Sequence, residues 1–357
     1  MANKRNKNSL PPEILYIILK KSPVKSLCRF KAVCRQWREW ISSREFVKEH
    51  LRHAQDTKNF SFHKFMYLEF RFSKRQVFSK YLDFSNFDRL PLSLPFGVAG
   101  LCLEVLASCN GLLLLIKDLR TYVLWNPSTG AFREFLGLHQ NISIGSYCRL
   151  YGIAYNATTD TYKIISASQI DTSREKTIFT IHDCSSWTTI SQTGGFLYYV
   201  TRNQQAANVN GIPHWLMSHE LDSGCVIICY DILSETFEEV PKPEWVEDVS
   251  VLELKAHKGM LCLVHYKRGF ADVWVMESYG KQESWTKLYP YVACSSDFGV
   301  RLLGMTHGDH VVMEVEQRKL EVYDPRTRVF GMKNSYTYPN CGFGAITYVE
   351  TLVSPIG

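Results

Sequence analysis

The side chains that could do chemistry in this chain are its thiols, imidazoles and carboxylates, and the sequence brings few of them together. Cys225 and Cys229 lie four residues apart in an apolar run, which puts both sulfurs on one face of a strand. No second pair accompanies them, and no Cys-x-x-Cys occurs among the 11 cysteines. A structural zinc takes four ligands, so these two read as buried reduced thiols, as do Cys28 and Cys34. His307 and His310 flank Gly308-Asp309 in what reads as a solvated turn, a weak metal pattern. No Gly-x-Ser-x-Gly, Walker A or Gly-x-Gly-x-x-Gly string is present to signal a nucleophile elbow or a phosphate cradle. The expectation is no catalytic residue, no metal and no cofactor. A different chemistry, protein capture, is suggested by Trp245 among Glu244, Glu247 and Asp248 in the irregular stretch Pro241 to Val249. An exposed tryptophan in an acidic loop would be a binding anchor; the alternative is a tryptophan tucked between structural units.

Composition sets the frame for these residues. The 357 residues are 45% hydrophobic and 13% aromatic, enough apolar matter for a sizeable core. The longest aliphatic run, Leu112 to Ile116, falls far short of the roughly 20 residues a membrane-spanning helix requires, so no membrane partner is expected. The basic N-terminus lacks the apolar stretch of a secretory signal, which predicts reduced cysteines and residence in the cytoplasm, the nucleus or both. Lys4, Arg5 and Lys7 read either as a nuclear signal or as a solvated tail. The net charge of +6 comes without a long basic block, and nothing points to nucleic acid.

Two kinds of periodicity divide the chain. From Ser9 to Leu51 the spacing is helical. Ser9 can cap a helix whose first turn holds prolines and Glu13. Ile14, Leu15, Ile18 and Leu19 form one apolar stripe, Pro23 stops the helix, and Val24, Leu27, Phe30, Val33, Cys34, Trp37 and Ile41 continue at helical spacing in short pieces. A unit this small cannot enclose that apolar load alone. It needs either the rest of the chain or a partner.

The strings LPPEIL at 10–15, SPVKSLCRFKAVCRQW at 22–37 and FVKEHL at 46–51 closely resemble the F-box of plant F-box proteins. The resemblance implies that Leu10, Pro11, Ile14, Leu15, Ile18, Val24, Leu27, Phe30, Val33 and Trp37 build a surface that docks on a Skp-family adaptor, and through it on a cullin and a RING subunit. Within that set Trp37 and Phe30 read as core, and Leu10 and Pro11 as interface. Ser22 departs from the pattern, standing where the family usually has an apolar residue.

Beyond residue 54 short strands alternate with turn clusters. Asn126, Asp183, Asp231, Glu277 and Asp324 each follow or end a strand and precede a polar turn, at steps of 57, 48, 46 and 47 residues. A weaker copy at Asp83 precedes them. A second series, Gly111, Gly211, Gly259 and Gly308, recurs at 100, 48 and 49 residues, the long step being two periods. Two hairpins per period make four strands per repeat, the pattern of a β-propeller. About six blades are expected, with GAITYVETLV near the C-terminus joining the first. Gly111, Gly130 and Pro127 serve turns, and Trp125 and Phe132 read as blade core.

SCNGLLLL at 108–115, LWNPSTGAFREF at 124–135 and YGIAYNATTDTYKII at 151–165 resemble the plant F-box-associated domain, a kelch-like propeller. The organisation this implies is a small all-α F-box over residues 1–53 and an all-β propeller over 54–357. The implied function is that of a substrate-receptor subunit of a Skp-cullin-F-box ubiquitin ligase, whose propeller captures an unidentified target protein. Loops are the first candidates for target contact, in particular Gln169 to Lys176 and Pro241 to Val249. A scaffold that binds the adaptor without delivering substrates shares every motif, and a propeller enzyme would leave the F-box unexplained.

Overall fold

The structure is a computed structural model and describes residues 10–356 apart from 57–61, 72–73, 82–89, 98–102, 119–120, 138–147, 170–176, 184–185, 191–203, 219–223, 247–251, 294–298, 306–308, 317–318 and 332–344. Asp83, the loop 170–176, Glu247, Asp248, His307 and Gly308 therefore lie outside the described residues.

Four short α-helices come first among the described residues: α1 (Pro12–Lys20), α2 (Val24–Phe30), α3 (Arg35–Ser42) and α4 (Arg44–Gln55). The N-cap position of α1 is Pro11 rather than Ser9, and no side chain caps it; Pro12 occupies a first-turn site where a missing amide hydrogen costs nothing. α3 and α4 are capped by side chains, Cys34 Sγ accepting from Trp37 N and Ser43 Oγ from Phe46 N.

Among the described residues twenty-five strands follow in six sheets. The second blade holds β4 (Glu104–Cys109), β5 (Leu112–Ile116), β6 (Thr121–Trp125) and β7 (Phe132–Leu136). The third has β8 (Cys148–Asn156), β9 (Thr161–Gln169), β10 (Ile178–His182) and β11 (Trp187–Ile190), with the short β12 (Gln204–Gln205) parallel to β8. β13 (Ala207–Val209), β14 (Ile212–Ser218), β15 (Cys225–Asp231) and β16 (Thr236–Val240) make the fourth. In the fifth are β17 (Leu252–His257), β18 (Met260–Lys267), β19 (Phe270–Met276) and β20 (Trp285–Ala293). The sixth comprises β21 (Val300–Met305), β22 (Val311–Val315), β23 (Lys319–Asp324) and β24 (Val329–Gly331).

The first blade is built from both ends of the propeller. β25 (Ala345–Val349) pairs antiparallel with β1 (His63–Arg71), which continues into β2 (Lys74–Tyr81) and β3 (Leu90–Leu92). β25 also lies beside β4 on one side and β21 on the other, so the innermost strands stand in a ring, each the short, protected edge of its own sheet. A buried ion pair, Lys64 Nζ to Glu350 Oε1 at 2.9 Å, lies at this junction.

Turn chemistry explains the two repeats. Asn110-Gly111, Asn210-Gly211 and Lys258-Gly259 all have positive φ at both positions, as a two-residue hairpin turn demands. The third blade breaks that series because Asn156 to Asp160 makes a longer turn in which Asn156 Oδ1 accepts from Thr158 N. At the other set of turns, Asn126, Asp231 and Asp324 each accept through Oδ1 from the amide two residues on, at 2.8, 2.9 and 2.9 Å. Both sets lie on one face of the disc, because successive strands run in opposite directions. Trp125 is fully buried, its ring edge-on to Phe96.

Candidate functional site

The four helices enclose a small core of Leu19, Val24, Leu27, Ile41 and Phe46, to which the chain contributes Leu352 from beyond β25. Val24 and Leu27 are fully buried there, with their side chains packed between the helices. The single stripe expected on α1 is in fact divided. Leu19 turns inward and Leu15 is half-buried, whereas Ile14, Ile17 and Ile18 are exposed. Leu10 at 52% and Val33 at 61% of their surface are exposed as well, and so is Pro11, next to Leu10 in the chain. Phe30 and Trp37 are half-buried and meet edge to face at 5.5 Å. Ile17 was missed in the sequence, although its spacing from Ile14 places it on the same side.

Ser22 ends α1 without leaving polar groups idle. Its Oγ donates to Ile18 O at 2.9 Å, and its carbonyl lies 3.1 Å from His50 Nε2. Burial in this packing holds the His50 imidazole below its usual titration range.

The helical unit is mounted on the turn face of the propeller through α4. Val47 and Leu51 pack into the core shared by the second and third blades, with Val353 beside them. Arg44 donates to Asp160 Oδ2 at 2.6 Å and to Thr159 O at 3.0 Å, Lys48 reaches Ala157 O, and Gln55 donates to Asn110 Oδ1 at 2.9 Å. Burial alone would raise the Asp160 carboxyl, but the Tyr155 hydroxyl, Arg44 and Lys48 together hold it below the usual range. The exposed apolar residues of α1 take no part in these contacts.

A polar bridge crosses the middle of the ring. Arg301 Nε donates to Glu253 Oε1 at 3.1 Å, and its terminal nitrogen donates to Gln205 Oε1 at 3.1 Å; Gln205 Nε2 donates to Val105 O at 2.7 Å. Four blades are tied together in this way. Burial raises Glu253, but Lys255, Arg301 and the Tyr266 hydroxyl outweigh it and bring the carboxyl down to about 2. Glu314, cross-strand from Arg301 but not bonded to it, is pushed up by burial to about 7. Toward the turn face lies a cavity of about 540 Å³, with Arg52, Gln55 and Asp56 at the end of α4 on its wall.

Cys225 and Cys229 are buried in β15, and burial raises the Cys229 thiol to about 11. Cys28 and Cys34 are exposed on the helices. His310 Nε2 lies 3.8 Å from Asp324 Oδ2. Among the described residues no three or more histidines, cysteines or carboxylates gather as a metal site would require.

Trp245 is partly exposed on the rim of the fifth blade. Its ring stacks on His265 at 5.1 Å and meets Trp274 at 4.8 Å. It is thus neither fully free nor buried between blades.

The sequence profile of the F-box domain matches residues 8–49, and that of the F-box associated beta propeller domain matches residues 100–341. The chain belongs to this family of F-box proteins. An F-box/kelch-repeat protein of Arabidopsis thaliana is 27% identical to it over 98% of this chain and 96% of its own length. F-box protein CPR1 of the same plant is 24% identical over 88% of this chain and 82% of that protein. Among solved structures, a lectin of Aleuria aurantia superposes with a TM-score of 0.44 at 10% identity, over 83% of this chain and 93% of the lectin. The F-box protein is accordingly one that works through protein interaction; members of the family are typically non-catalytic adaptors, and the F-box generally binds a Skp-type adaptor.

Proposed function

We propose that this F-box protein is the substrate receptor of a Skp-cullin-F-box ubiquitin ligase, in which the F-box binds the adaptor and the propeller holds a target protein for ubiquitylation. The observation that carries the reading is the division of labour on the helices. α4 carries the contacts to the propeller, while Ile14, Ile17 and Ile18 leave one side of α1 apolar and exposed, with Leu10 and Pro11 exposed just before it and Val33 exposed after α2. Large exposed apolar patches mark interaction sites. A receptor requires no catalytic group of its own, because it raises the effective concentration of target beside a loaded conjugating enzyme. Such a ligase subunit would reside in the cytoplasm, the nucleus or both.

The test is co-expression of the full chain with a Skp-family adaptor, then size-exclusion chromatography and assembly with cullin and RING subunits. A one-to-one complex that is lost on Ile14→Asp with Ile18→Asp supports the adaptor half. Failure of the wild-type chain to join any adaptor would overturn the proposal. The delivery half is read separately, by whether a bound target accumulates when the proteasome is inhibited.

A further inference from the structure

The groove beside Trp245 has a shape and a charge that define what it would hold. Trp245, Trp274 and Trp285 supply its aromatic surface, with Glu244, Gln282 and Glu283 at the edges and a volume of about 480 Å³. Glu244, Gln282 and Glu283 are all exposed, and no basic side chain lines the groove among the described residues. The nearby Lys287 lies over the Trp274 ring at 4.9 Å, and Asp272 Oδ2 accepts from its ammonium at 3.4 Å.

The platform is held rigidly. Trp285 Nε1 donates to Pro241 O at 2.9 Å, Val246 N donates to Pro243 O at 3.2 Å, and Lys242 Nζ bonds to Val246 O. Val246 itself is buried in the core between the fourth and fifth blades. Trp245 is therefore fixed in place while 37% of its surface stays open to solvent. A preformed aromatic surface binds with little ordering cost.

We infer that this groove captures a segment of the target protein that presents an arginine or lysine side chain, the cation lying against Trp245 between the carboxylates of Glu244 and Glu283. A guanidinium or ammonium gains from the face of an indole ring and from nearby carboxylates at once. An acidic segment would meet two like charges, and a purely aliphatic one would leave both carboxylates without a partner. The inference rests on the receptor reading for the origin of the ligand, but not for its chemistry.

The test selects a random dodecapeptide library on the full chain in complex with a Skp-family adaptor, with the Trp245→Ala chain as the counter-selection. Enriched peptides are expected to share an arginine or lysine. Replacing that residue by citrulline or norleucine in the synthetic peptide should weaken binding about tenfold. The double variant Glu244→Gln and Glu283→Gln, which keeps the shape of the groove, should weaken it about three- to tenfold and flatten its salt dependence. Enrichment of acidic or wholly apolar peptides, binding indifferent to both sets of variants, or no enrichment above the Trp245→Ala background would each overturn the inference. Fusing the winning peptide to a carrier protein in a reconstituted ligase separates the two claims. Binding without ubiquitylation of the carrier counts against the receptor reading and leaves the groove standing; ubiquitylation of other targets that ignores Trp245 does the reverse.

Discussion

The side chain of Asn126 clamps the backbone of Thr351, donating from Nδ2 to its carbonyl at 3.0 Å and to that of Val353 at 2.7 Å. The same residue shapes its own turn through Oδ1, so one buried amide serves a local hairpin and a contact 225 residues away. Between the two clamped carbonyls stands Leu352, whose side chain enters the helical core. Closure of the propeller and seating of the F-box are therefore coupled through this short strap.

Asn126→Ala should consequently destabilise both units. Two buried carbonyls lose their donor, at about 1–3 kcal/mol each. The expected result is a lower melting temperature together with faster amide exchange in α4. Exchange confined to the Asn126 turn would show that the strap does not couple them.

Outer and inner residues of the helical unit should fail in different ways. Leu10→Ala with Pro11→Ala is expected to abolish adaptor binding while leaving thermal unfolding unchanged, since both side chains are exposed. Leu27→Ala removes a fully buried side chain and should cost about 2–5 kcal/mol by leaving a cavity. Equal loss of stability in the two variants would show that the distinction between face and core is wrong.

Trp125→Ala tests the blade core. The residue is 1% exposed and packs with Phe96, Leu113 and Val123 in the core shared by the first and second blades. A loss of about 3–5 kcal/mol is expected from denaturant unfolding. An unaltered midpoint would remove Trp125 from the set of stabilising residues.

Glu314 should make stability fall as pH rises. Its carboxyl titrates ordinarily near 4.5 and in the fold near 7, raised chiefly by burial and also by Glu253, with Arg301 and Lys255 opposing. A raised acid favours its protonated form in the native state, so the contribution to stability is fully present below about 4.5 and is lost as pH climbs through about 7. Glu314→Gln cannot ionise and should gain on the order of 1–3 kcal/mol over the wild type at pH values above 7, with the gap closing below about 4.5. Melting curves of both chains across this range check it; a constant difference would mean that Glu314 does not titrate in the window.

The features that the sequence by itself determined are those set by near neighbours along the chain. Helical spacing from Pro12 to Gln55 is a local rule, and so is the left-handed geometry of Asn110-Gly111. The Asx turns at Asn126, Asp231 and Asp324 reach only two residues forward, which is why they recur visibly at a period near fifty. The recurrence of such turns gives about six blades, and GAITYVETLV reads as the strand that joins the first. Periodicity alone could not decide which side of α1 is spent on packing, since Ile14 and Leu15 are equally apolar and only the packing around Leu19 separates them. Nor could it show that Val24 and Leu27 are interior, that Asn126 holds Thr351, or that Arg301 meets Glu253 and Gln205 across the ring. Those contacts join residues brought together only when the blades close, and burial, hydrogen bonding and charge pairing at such places depend on the whole fold.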